Sequence, residues 1–138
     1  MIDISKNGHQ IGELFKARQD NICRALHEID GSNYSEDLWS RPGGGGGITR
    51  IIESDVFEKA GVNTSQVHGS LGKNEVPMFN QLLSRVKTNA LADENSVFYA
   101  TGISLVIHPR NPYVPTVHAN YRYFEITLDN QESLWWIG

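Results

Sequence analysis

At 138 residues, with 39% hydrophobic and 20% charged residues, the chain has one-domain length and enough apolar material for a core. No run approaches the ~20 apolar residues of a membrane span, and the start MIDISKNGHQ lacks the basic, apolar and small-residue blocks of a signal peptide. A net charge of −4 without a basic run excludes an obvious nucleic-acid surface. The lone cysteine, Cys23, allows no internal disulfide and fits a reducing compartment, so a cytoplasmic location is expected.

Ile11, Leu14, Phe15, Ile22, Leu26 and Ile29 recur at three, four and seven residues, which predicts an amphipathic helix ending at Asp30-Gly31. Ser32 to Trp39 reads as a polar connection rich in turn formers, with Trp39 as an anchor. Arg41-Pro42 and the run Gly43 to Gly47 follow. A flexible linker is one reading, but a strand-like ITRII follows at once. A phosphate loop is disfavoured, because no Lys-Ser or Lys-Thr closes the run and a strand, not a helix, comes next. The glycines more plausibly let another backbone or a flat ligand come close.

Ile48 to Glu53 alternates as a strand. Asp55 to His68 continues in that style, with Ala60-Gly61 as a candidate bulge. His68 reads as a strand end or a ligand. Gly72 to Pro77 forms a loop, and Phe79, Leu82, Leu83, Val86 and Leu91 predict a second helix.

Val97, Phe98, Tyr99, Ile103, Leu105, Val106 and Ile107 predict a strand closed by His108-Pro109. Three prolines between Pro109 and Pro115 make the next link rigid and non-helical. Thr116 to Thr127 returns as a strand in which Thr116, His118, Asn120 and Arg122 share one face by the period of two. Val117, Ala119, Tyr121 and Tyr123 take the other. Ser104 and His108 share a parity and join the polar row if the strands pair in that register. The row reads either as the solvent face of an amphipathic strand or as a site lined for an anionic ligand. Because the chain is acidic overall, an anion would rely on local arginines, with Arg41, Arg50, Arg110 and Arg122 as candidates. Leu134 to Ile137 forms a last strand after an Asp129-Asn130 turn. The fold class expected is α+β, a large antiparallel sheet flanked by helices.

WSRPGGGGGITRIIESDVFEKAGVNTSQVHG, GISLVIHPRNPYVPTVHANYRYFE and LWWIG together resemble the N-terminal part of the oxygen-dependent coproporphyrinogen III oxidases. The resemblance runs from the first helix to Gly138, and it implies that 1–138 is the N-terminal portion of a single domain whose C-terminal half is absent here. It implies a homodimer acting on coproporphyrinogen III, converting the ring A and B propionates to vinyls with O₂ as co-substrate and no required cofactor. His118 matches the family's proton donor, and Ser104, Asn120, Tyr121 and Arg122 match its substrate contacts. His108 and His118 match histidines assigned to a divalent metal in bacterial members, and Arg50 to Lys59 matches a dimerisation segment. In the family a Gly-rich turn and an aspartate follow this point. No dinucleotide fingerprint, CxxC or His-Glu-x-x-His pattern is present. The alternatives are a non-catalytic porphyrin-binding or assembly fragment and, more remotely, a His-based metal hydrolase.

Overall fold

The computed structural model describes residues 4–85, 89–130 and 132–138. Helix α1 (Ile4–Asp30) is followed by β1 (Ser35–Ser40), β2 (Gly45–Ile52) and β3 (Phe57–Ser70), then α2 (Val76–Arg85), β4 (Val97–Pro109), β5 (Val117–Thr127) and β6 (Ser133–Ile137). All strands lie in one six-stranded sheet in chain order, and every pair is antiparallel. The sheet is a meander interrupted once, by α2. Its strands therefore pair with sequence neighbours, across short links except for 71–96, which carries α2.

The apolar stripe of α1 covers one sheet face. Phe15, Cys23 and Leu26 pack on Ile52, Phe57, Ala60, Val62 and Ile103. Gln19 is fully buried there: its Nε2 donates to the carbonyls of Ile48 at 3.0 Å and Val62 at 2.8 Å, while its Oε1 accepts from Thr64 Oγ1 at 3.1 Å. A buried amide is tolerated because each polar atom has a partner. The helix stops where expected. Gly31 takes a φ of 73° and donates its N–H to the His27 carbonyl, the left-handed cap that glycine adopts most readily.

The opposite face is divided. At one end α2 buries Phe79 and Leu83 against Phe98, Phe124, Ile126, Leu134 and Trp136. The rings of Phe124 and Trp136 stack with centroids 4.5 Å apart. The other end of this face carries no helix among the described residues, and the polar row of β5 lies there.

Three expectations need correction. The polar connection from Ser32 to Trp39 contains an edge strand, β1, held by its ladder to β2 and by an ion pair between Glu36 and Arg50 at 2.7 Å. Long-range pairing overrides the weak local strand propensity of Ser-Glu-Asp. The irregularity in β3 falls between Phe57 and Lys59, not at Ala60-Gly61, which stays in ladder register. The second helix ends at Arg85 among the described residues, and Leu91 lies beyond it, 72% exposed; Val86 lies outside the described residues. The glycine run is half turn and half strand: Gly44 and Gly45 have positive φ and turn the chain, and Gly45 to Gly47 open β2.

Candidate functional site

The β4–β5 ladder pairs Ser104 with Asn120, Gly102 with Arg122 and Val106 with His118. Residues paired across an antiparallel ladder share a face, so Ser104, His118, Asn120 and Arg122 stand together on the uncovered end of the sheet. The ladders to β3, β2 and β1 extend the arrangement. Asp37, Thr49, Asn63, Ser104 and Asn120 form one continuous polar row across β1 to β5. Beside it runs a second row of Trp39, Gly47, Ser65, Gly102 and Arg122. Between them lies a depression of about 260 Å³, lined by Trp39, Thr49, Asn63, Ser65, Ser104, Asn120 and Arg122.

The lining holds one cation, Arg122, beside amides and hydroxyls that can donate or accept. Ser104 is half-buried, while His118, Asn120 and Arg122 are exposed. The Arg122 backbone is fixed by a reciprocal pair of hydrogen bonds with Gly138, N–H to O at 2.6 Å and back at 2.9 Å. Its stem lies over Gly102, where a Cβ would meet Arg122 Cγ at 3.1 Å and the Tyr121 carbonyl at 2.9 Å. The guanidinium itself makes no hydrogen bond or ion pair among the described residues. Asn63 Oδ1 is buried without a hydrogen-bond partner among the described residues. Such an orphan costs about 1–3 kcal/mol, and this one sits in the row that lines the depression.

Of the other candidate arginines, Arg50 and Arg110 are committed. Arg50 is 8% exposed on the α1 face, bonded to Asp20 at 2.6 Å and Glu36 at 2.7 Å and lying over the Tyr34 ring. Burial pulls its pKa down, but the hydrogen bonds to Asp20 and Glu36 outweigh that and drive it upward, so it is a structural cation. Arg110 gives Nε to the Ser54 carbonyl at 2.8 Å. Arg41 donates to the His68 carbonyl at 3.2 Å and lies 5.5 Å from the Phe98 ring centre. Phe98 is four residues from Gly102 on β4, about 13 Å along the strand. Arg41 and Arg122 are thus two cations on one face.

Tyr121 does not join this row. Its partner is Ile103, so it faces the α1 side, 59% exposed. His108 shares the face of the row but pairs with Lys59 on β3, one step out of register with His118. Among the described residues no group of three His, Cys, Asp or Glu side chains gathers closely enough to hold a metal ion. The described residues bring no third such side chain to the two histidines. His68 lies two residues before the end of β3, exposed on the α1 side. Thr49, Asn63, Ser65 and the position of Trp39 over Gly47 were not foreseen from the sequence. Asn63 and Ser65 fall in a run of four polar residues, Asn63 to Gln66, with no alternation to mark which face the site, and that is decided by the ladders to β2 and β4.

Residues 10–138 match the sequence pattern of the coproporphyrinogen III oxidase family. The chain is 49% identical over 122 residues, 87% of its length, to the oxygen-dependent coproporphyrinogen-III oxidase, mitochondrial, of Rattus norvegicus, and covers 27% of that protein. It is 47% identical over 133 residues to the oxygen-dependent coproporphyrinogen-III oxidase of Drosophila melanogaster, covering 94% of this chain and 33% of that one. It is 41% identical over 131 residues to coproporphyrinogen-III oxidase 1, chloroplastic, of Arabidopsis thaliana, covering 91% of this chain and 33% of that one. The chain therefore spans about a third of the length of these relatives or less.

Proposed function

The chain belongs to the coproporphyrinogen III oxidase family, and on that footing we propose that its open sheet face binds coproporphyrinogen III for oxidative decarboxylation. The observation that carries this is the uncommitted guanidinium of Arg122, set over bare Gly102 and in line with Asn120 and Ser104. A porphyrinogen carries four carboxylates on a macrocycle, and a guanidinium grips a carboxylate through two parallel N–H···O bonds. Arg122 holds one propionate and Arg41 a second, while Ser104 and Asn120 supply neutral hydrogen bonds. Tyr121, on the α1 face, is not part of this set.

The reaction balances without a further redox partner. Each reacting propionate on rings A and B, bound as a carboxylate, loses CO₂, two electrons and one proton and becomes a vinyl, and O₂ takes up the two electrons with that proton and a second from water as hydrogen peroxide. The pyrrole ring is the electron source, so no organic cofactor enters the scheme. His118 moves a proton at the propionate side chain, the general acid–base task that histidine serves most often. The product is protoporphyrinogen IX.

Because the chain spans so little of its relatives' length, a second reading is a porphyrin-binding piece that needs further polypeptide for turnover. One experiment addresses both. A chimera joining this chain to the rest of the rat relative is assayed for protoporphyrinogen IX formation, with the chain alone in parallel. Turnover should appear in the chimera and fall roughly 10²-fold or more in its His118→Ala variant, the usual scale for losing a general acid or base. A rate within a factor of two of the parent rejects the role of His118. Turnover by the chain alone rejects the second reading.

A homodimer is proposed through the segment from Arg50 to Lys59. Its supporting feature is the β2–β3 turn, where Glu53, Asp55, Val56, Glu58 and Lys59 are exposed. Among the described residues no helix is long and apolar enough to cross a membrane. We place the protein in the cytoplasm. Relatives named mitochondrial and chloroplastic make the organelles the competing location, and cell fractionation decides between them.

A further inference from the structure

The row that ends in Arg122 is nearly bare in its middle. Trp39 stands at one end and Arg122 at the other, with Gly47, Ser65 and Gly102 between them. The ends are four strand spacings apart, about 19 Å at the backbone, but both side chains lean inward. The Trp39 indole covers Gly47 so closely that a Cβ there would meet its Cε2 at 2.6 Å. The Arg122 stem covers Gly102 in the same way from the opposite end. Both side chains line the same depression. A cation and an aromatic ring thus face each other across a floor kept low by glycines.

Trp39 belongs to neither buried core cluster and is 37% exposed. Its sheet position is already secured by the β1–β2 ladder. An indole left half open beside a cation suits a ligand with a flat apolar ring and a carboxylate arm. Resting on the function proposed above, we infer that Trp39 is a specificity-determining contact: its ring takes the face of one pyrrole of the substrate, in offset stacking, while Arg122 takes a propionate. Aliphatic polycarboxylates engage Arg122 and leave Trp39 idle. The pairing selects tetrapyrrole carboxylates over ring-free ones, and Gly47 and Gly102 are required at their places because any side chain would displace the indole or the guanidinium stem.

The test titrates this chain with two probes, coproporphyrin III, a stable oxidised tetrapyrrole, and glutarate, a ring-free dicarboxylate. Trp39→Leu keeps an apolar cover over Gly47 without a ring, and Trp39→Phe keeps a ring. Trp39→Leu should weaken coproporphyrin III roughly tenfold, Trp39→Phe should recover most of the loss, and neither should change glutarate binding or the melting temperature. Undiminished coproporphyrin III binding by Trp39→Leu overturns the inference, and so does a loss that Phe does not repair or that glutarate shares. Arg122→Ala should weaken both probes. If it weakens neither, the assignment of Arg122 falls while the Trp39 arm is still read independently. A parent chain that binds neither probe overturns both.

Discussion

Arg122 is the residue on which charge and geometry can be separated. Arg122→Lys keeps the cation and loses the fork, so it should weaken coproporphyrin III, and Arg122→Ala should weaken it further, by about 1.5–3 kcal/mol for one charge-assisted contact. The side chain is exposed in this chain, so raising the ionic strength should narrow the gap between parent and variants. Equal dissociation constants in all three would move the carboxylate clamp to Arg41. Cys23 gives a second, independent reading at this scale. It is 2% exposed, and burial pushes its thiol pKa up, with Arg50 only partly opposing. The folded thiol thus holds its proton more tightly than the unfolded one. On this account stability is complete below the unfolded value of about 8.5 and declines as the pH climbs toward the raised folded value. Alkylation by iodoacetamide at pH 8 should be slow in buffer and fast in denaturant; rapid labelling of the native chain would contradict the packing of α1.

At the scale of elements, the glycine run shows how one stretch does two jobs. Gly44 and Gly45 turn the chain between β1 and β2 with φ of 117° and 86°, a region where a side chain is strained. A Cβ at Gly45 would also collide with the Gln66 carbonyl on β3. Gly45→Val should therefore act on folding, costing about 2 kcal/mol or more and lowering the melting temperature, and should affect ligand binding only through that loss. An unchanged melting temperature would show that the run is a tether rather than a hairpin. Helix α1 is joined to the sheet by two different means. Gln19 satisfies buried carbonyls of β2 and β3, whereas Arg50 reaches out to Asp20 on α1 and Glu36 on β1. The first is shielded from water. The second has partners 57% and 36% exposed, so its contribution is smaller and salt-sensitive.

At the scale of the whole molecule, the two sheet faces are used differently. One is covered by α1 over its middle, with Leu38 and His68 exposed toward one side and Val117, Tyr121, Trp135 and Ile137 toward the β5–β6 edge 50%, 59%, 56% and 60% exposed. Exposed apolar side chains at a sheet edge promote association. In sedimentation, Tyr121→Asp combined with Ile137→Lys should reduce the concentration-dependent self-association of this chain. Val56→Glu should instead halve the mass of the proposed specific dimer. A parent chain that stays monomeric at high concentration would reject that dimer. The other face is covered by α2 at one end only, which leaves the polar rows open at the other and makes it the binding face.

Periodicity alone carried the first helix, the strands β4 and β5, and the common face of His118, Asn120 and Arg122, because a period of two is set by backbone geometry wherever a strand forms. The long match of ordered motifs carried the family. Three things were decided only in three dimensions. Ser35 to Ser40 became a strand because β2 offered it a ladder, not because its residues prefer one. Arg50 left the set of anion-binding candidates because acids 14 and 30 positions away claimed it. The site gained Trp39, Thr49, Asn63 and Ser65 because the register of four neighbouring ladders set them beside Arg122 and Asn120, and register is a property of strand pairs that no single strand's sequence contains.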